Sequence, residues 1–194
     1  MIAALSNLLY RAKDPTRFWQ PDPSRLIIDV ARCTLCGTPV GGPFSALTPL
    51  GPSSLAKAAS RGYPEWHGLG IHCVVEDGLL GDMTIVLRPS RVFRAFPGRF
   101  LANDRPIDLT NRTTPEQLVE FLGEPFGRSD NDWDDALVFF YEHESGEAQF
   151  AFGNDDETLD SIAFWYEPEL SQAGACETYG IRKPFPENRR RKLL

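Results

Sequence analysis

Cys33-Thr34-Leu35-Cys36-Gly37 is the sharpest local motif in the chain. A Cys-x-x-Cys step can open a zinc knuckle, because neighbouring backbone amides stabilise two thiolates at that spacing. Zinc needs four ligands, and the remaining candidates are His72, Cys73 and Cys176, with no second Cys-x-x-Cys. Redox use would need a thiol of lowered pKa at a helix start. The motif therefore reads first as two small core cysteines, with Cys73 also in the core. Cys33, Cys36, His72 and Cys73 stay as the set that a small metal- or ligand-binding enzyme would use.

Two acidic stretches come next. Asp130, Asp132 and Asp134 alternate as at the start of a calcium loop, but that loop wants Gly at its sixth position and Glu at its twelfth. Asp135 and Tyr141 stand there, so a calcium loop is rejected. The segment reads as a solvated loop, or, because of Trp133, as one facing a partner. Glu142-His143-Glu144 could supply acid–base groups, although its place before Ser145-Gly146 suits an exposed rim better. His67 and His72 have no spaced Ser, Asp or Cys that would pair a nucleophile with its base. No phosphate loop and no dinucleotide Gly pattern is present, so no cofactor and no enzymatic activity are expected.

The charge is unevenly spread. The 194 residues carry a net −7. Residues 107–181 hold two basic and eighteen acidic side chains, a net of −16, between a +4 stretch (1–106) and a +5 tail (182–194). Such a block repels nucleic acid and speeds encounter with basic proteins; its bland reading is solubility alone. The tail Arg189-Arg190-Arg191-Lys192 reads as solvated terminal charge. No apolar run reaches the ~18–20 residues of a membrane span. Residues 1–23 read as an amphipathic helix (Ile2, Leu5, Leu8, Leu9) with a lead-in, not a signal peptide. A cytoplasmic protein, monomeric or weakly dimeric, is expected.

Elements that could position these groups fall into two units, 24–89 and 107–168, joined by a hairpin over 90–106 that turns near Asn103-Asp104. A shift of 79 residues places Asp29 on Asp108, Ile71 on Phe150, Cys73 on Phe152, Leu80 on Leu159, Met83 on Ile162 and Ile85 on Phe164. Apolar positions match at period two. In the second unit Thr114 is an N-cap, Pro115 opens the helix and Gln117 closes a capping box. Leu118, Phe121 and Leu122 form its apolar face, Gly123 takes a left-handed C′ position, and Pro125 stops it. Residues 136–144, 147–152 and 161–167 are antiparallel strands. In the first unit, Cys33–Leu50 holds the corresponding helix, followed by strands over 69–76 and 82–89. The fold class is α+β, with two tandem helix-plus-antiparallel-sheet repeats. A polar extension with a basic tail fills 169–194.

The run Thr114-x-x-Gln117-Leu118-x-x-x-Leu122-Gly123-x-Pro125, with Tyr141, Phe150, Phe152, Leu159 and Ile162, resembles the tandem fold of β-lactamase-inhibitor-type proteins and the related SmpA/OmlA-type domains, over roughly residues 24–168. The resemblance implies a protein-binding scaffold, and in a cytoplasmic setting it looks like a bacterial toxin-immunity protein. An envelope assembly factor is a further possibility.

Period two puts Phe150, Phe152, Ile162, Phe164 and Tyr166 in the core and leaves Val138, Phe140, Glu142, Gln149, Ala151, Ala163 and Trp165 on the free face, with His72, Thr84 and Val86. Aromatic groups inside an acidic rim suit an interface. The expected partner-binding residues are Asp130, Asp132, Trp133, Asp134, Asp135, Phe140, Glu142, Gln149 and Trp165, facing a basic protein such as a nuclease-type toxin. If a terminus covers this face, Trp165 is core instead.

Overall fold

A computed structural model describes residues 22–130, 136–153, 158–172 and 174–182. The N-terminal helix, Asp132, Trp133, Asp134, Asp135 and the basic tail from 183 onward lie outside the described residues.

The long strands follow directly from alternation. Strands β5 (Ile71–Glu76) and β6 (Leu79–Val86) form one hairpin, and β11 (Glu147–Gly153) and β12 (Leu159–Trp165) another. Both belong to one seven-stranded sheet. Its order is β4 (Glu65–Trp66), β5, β6, β12, β11, β10 (Ala136–Glu142) and β9 (Gly127–Ser129). β6 lies antiparallel to β12, with Thr84 opposite Ala163. The hairpins of the two predicted units therefore meet edge to edge, which removes two open strand edges. Within the hairpins the registers differ by two residues, since Ile71 faces Ile85 whereas Phe150 faces Ile162. A single 79-residue shift thus fits β6 and β12 but not β5 and β11.

Pleating sorts this sheet into rows. Ile71, Ile85, Ile162, Phe150 and Phe139 run across five strands on the inner face, all buried. Cys73, Met83, Phe164, Ala148 and Tyr141 form the next inner row. The expected core residues Phe150, Phe152, Ile162 and Phe164 are fully buried, and Tyr166 packs against them.

A second sheet runs β3 (Thr38–Pro39), β2 (Thr34–Leu35), β1 (Ile27–Asp29), β7 (Arg99–Ala102) and β8 (Arg105–Ile107). β7 and β8 form the expected hairpin. Asn103 and Asp104 take positive φ of 52° and 65°, the pair of left-handed residues that a two-residue turn of this twist requires. Asp29 is buried and holds the turn, accepting the backbone N–H groups of Asn103 (3.1 Å), Asp104 (3.0 Å) and Ala31 (3.1 Å). Asp108, its partner in the 79-residue match, is exposed, so the two aspartates occupy different environments.

Ile28, Leu35 and Phe100 of this sheet share one core with the inner face of the seven-stranded sheet. The chain is a mixed α/β protein, mostly strand, with two sheets and few helices. Among the described residues no helix is long and apolar enough to cross a membrane.

The helix expected over Cys33–Leu50 is not formed. Two short strands and a 3-10 segment (Phe44–Leu50) stand there. Cys33, Cys36, Gly37 and Gly41 all have positive φ, and Pro39 and Pro43 supply no N–H for a helical ladder. At Gly41, a Cβ would lie 2.2 Å from the Tyr166 ring. The other helices are α1 (Ala56–Ala59), α2 (Pro115–Leu122) and α3 (Ala175–Thr178). α2 carries the expected capping box. Gln117 N–H donates to Thr114 Oγ1 (3.3 Å), and Thr114 N–H donates to Gln117 Oε1 (3.0 Å), an arrangement that contributes about 1 kcal/mol. Gly123 ends the helix at φ 83°, ψ −172°, outside the left-handed helical well expected for it, with its N–H on Val119 O.

Candidate binding cleft and the covered sheet face

The outer face carries the residues that alternation assigns to it. One row reads His72, Thr84, Ala163, Gln149, Phe140, and the next Val74, Asp82, Trp165, Glu147, Glu142. The face is nevertheless not free. Phe140 is buried under Leu170 and Ile181, with Phe126, Val138, Cys176 and Tyr179 around them. The Tyr179 ring lies 5.2 Å from that of Phe140. The described part of the stretch read as a polar extension, residues 169–172 and 174–182, thus folds back over β10. This corrects the expectation that Phe140 and Gln149 meet a partner. Gln149 instead donates to Glu147 (2.6 Å) and Glu169 (2.7 Å). At the far end Phe93 covers the face, 4.9 Å from the His67 ring and 5.8 Å from that of His72. Trp165 is half-buried, and its indole Nε1 is buried with no hydrogen-bond partner among the described residues.

Two groups on this face have shifted acidity. Burial, and then the nearby Glu76, push the Asp82 carboxyl up to about 6. Burial also raises Glu147, against hydrogen bonds from Glu142, Gln149 and the Leu170 N–H.

The possible metal set does not assemble. His72 and Cys73 are successive residues of β5 and point to opposite faces. Cys33 is in the core, and Cys36 Sγ rests on Arg25 O (3.2 Å). Burial raises the Cys36 and Cys73 thiols and lowers His72, the reverse of the lowered thiol that redox use of Cys36 or Cys73 would need. All four cysteines are free thiols. Among the described residues no group of three or more His, Cys, Asp and Glu could hold a metal ion.

A site the sequence did not single out lies at the junction of the sheets. A cleft of about 1160 Å³ opens between the β7–β8 hairpin, the C-terminal end of α2 and the β10–β11 turn. Ile107, Pro106, Phe121 and Leu122 give it an apolar lining, and Glu120, Glu142, His143 and Glu144 line it from the acidic half of the chain. Arg32 and Arg105 line it as well. Arg32 is held by a two-pronged pair to Asp104 (2.7 and 2.6 Å), which takes up most of its field. Ser145 Oγ donates to Arg32 O and ties the β10–β11 turn to the second sheet. Of the expected partner residues that lie among the described ones, only Glu142 lines the cleft. Asp130 is exposed beyond β9, near the start of β10. The seven residues of β10 separate it from the cleft, roughly 20 Å at strand rise.

The sequence reading also missed a buried pair. His67 Nε2 lies 2.7 Å from Glu65 Oε2, and Ser54 Oγ accepts the His67 backbone N–H. The spacing Glu65-Trp66-His67 was its only signal.

No family model matches the chain, and no curated protein matches it. Two solved structures are similar. One is a DUF4309 family protein (YjgB) from Bacillus subtilis subsp. subtilis str. 168, 14% identical at a TM-score of 0.43, covering 82% of this chain and 96% of that one. The other is an extracellular protein containing a SCP domain from Bacillus anthracis str. Ames, 9% identical at a TM-score of 0.40 over 75% of this chain. The match spans about half of that protein, 49%. Likenesses this slight carry no argument about function.

Proposed function

We propose that the protein is a non-enzymatic binding module that takes a basic partner, and that it acts as a cytoplasmic immunity protein which blocks the basic active-site cleft of a nuclease-type toxin. The observation that carries this reading is the cleft between the sheets, with its apolar lining and the acidic side chains Glu120 and Glu144. An apolar centre with a charged rim is how protein interfaces are built. Exposed Glu116 on α2 extends the negative field beyond the cleft, which favours capture of cations before contact. The four free thiols suit a reducing compartment. Strands β6 and β12, related by the 79-residue shift and paired at Thr84 and Ala163, support a doubled module as the origin of the long sheet.

Purified chain titrated into a panel of basic bacterial nuclease domains tests the proposal. At least one nuclease should lose cleavage activity at stoichiometric chain, with inhibition weakening as salt rises. No inhibition across the panel overturns the nuclease reading, and inhibition indifferent to salt overturns its electrostatic basis.

A further inference from the structure

The covering segment, described over residues 168–172 and 174–182, is held to the sheet by an unusual polar join. Glu147 is fully buried. Its Oε1 accepts from Gln149 Nε2 (2.6 Å) and its Oε2 from the Leu170 N–H (3.3 Å). The same Gln149 nitrogen donates to Glu169 Oε2 (2.7 Å), and Tyr179 Oη donates to the other oxygen of Glu169. Glu142 faces Glu147 directly across the β10–β11 pair. One amide therefore bridges two carboxyl groups, with a third beside them. Among the described residues neither Glu147 nor Glu169 has a lysine or arginine partner. Three ionised carboxylates at this spacing repel one another in a medium that screens poorly.

We propose that Glu142, Glu147 and Glu169 form a proton-operated latch. With a proton held among them, the C-terminal segment lies over Phe140; when that proton is lost, the segment lifts and uncovers an apolar face.

The groups facing Glu147 come from every neighbouring element. They are Glu142 from β10, Gln149 from β11, Trp165 from β12, Asp82 beyond it on β6, and Glu169, the Leu170 N–H and Tyr179 from the segment itself. Burial raises the Glu147 carboxyl in the closed form, so the closed form keeps its proton to higher pH than the lifted form does. Closure is therefore fully favoured below the ordinary carboxylate range and loses favour as pH climbs through the raised value. Asp82, ionising at about 6, adds like charge along the same row above that pH. What is uncovered is Phe140 and Val138, with Phe126 beside them. The latch shares Glu142 with the cleft, but neither it nor its test depends on the partner proposed there.

Amide hydrogen exchange on the full chain between pH 5 and pH 8, corrected for the intrinsic pH dependence of exchange, reads the latch. The Tyr179 and Ile181 amides, which donate to Ala175 O and Cys176 O, should lose protection as pH rises across that range. The limiting slope is about tenfold per pH unit for one linked proton. The Phe150 and Ile162 amides should stay protected. In Glu147→Gln, which keeps an oxygen for Gln149 and cannot ionise, segment protection should be high and flat with pH. Wild-type protection that does not fall, or an unchanged fall in Glu147→Gln, overturns the proposal. Should Glu147→Gln fail to fold, Glu169→Gln lies on the covering segment and must reduce the pH slope; an unchanged slope there also overturns it.

Discussion

Phe150→Ala should cost about 3–5 kcal/mol of folding stability. Phe150 has no exposed surface and sits in the middle of the inner row, between Phe139 and Ile162. The Tyr141 ring meets it edge-on at 5.4 Å. Removing the ring leaves a cavity beside Phe139, Tyr141 and Ile162, buried side chains that can relax into it only in part. For a chain of this size each kcal/mol shifts the melting temperature by about 2–4 °C, so the loss should be on the order of 10 °C. Urea unfolding gives the same quantity from the midpoint. The contrasting change is Val92→Ala at a position 41% exposed, expected within about 0.5 kcal/mol of wild type. Equal effects at the two positions would mean that the shared core is placed wrongly.

Reversing the acidic wall of the cleft should weaken partner binding by roughly ten- to a hundredfold at low salt, mostly through slower association. The double change Glu120→Lys and Glu144→Lys alters the charge of that wall by four units. Both residues lie beside the apolar lining of Phe121 and Leu122. Surface plasmon resonance at two salt concentrations separates the association rate from the dissociation rate. Glu177→Lys, exposed on α3, changes the net charge by two units away from the cleft and should slow association by no more than half the double change's general charge effect. If that control is as damaging as the double change, net charge governs binding and the cleft does not.

Much of this arrangement is legible in the sequence, because period-two alternation has one physical meaning on a pleated strand. It assigned Phe150, Phe152, Ile162 and Phe164 to the core and Gln149, Ala163 and Trp165 to the other side. The capping residues Thr114 and Gln117 fixed α2, and Asn103-Asp104 fixed a turn, since both depend on chemistry within four residues. Over Cys33–Leu50 the local signals were turn signals. Gly37, Gly41, Gly42, Pro39 and Pro43 outweighed any helical spacing of the apolar residues, and the segment became short strands. The cover on Phe140 depends on where a distant segment lands, which alternation within one strand cannot show. Leu170, Tyr179 and Ile181, apolar groups within a stretch that otherwise reads as polar, were the available hint. The cleft was invisible for the same reason, since its walls come from residues as far apart as Arg32 and Ser145. Finally, β6 and β12 each left an unpaired edge when read as parts of separate units, and pairing those edges built the continuous sheet.

The claim that a partner enters the cleft and not the sheet face is tested most directly by hydrogen exchange on the chain with and without an inhibited nuclease. New protection is expected at residues 116–124 and 142–146, with residues 82–86 and 161–165 unchanged. Protection confined to 82–86 and 161–165, with the cleft segments unaffected, would contradict it.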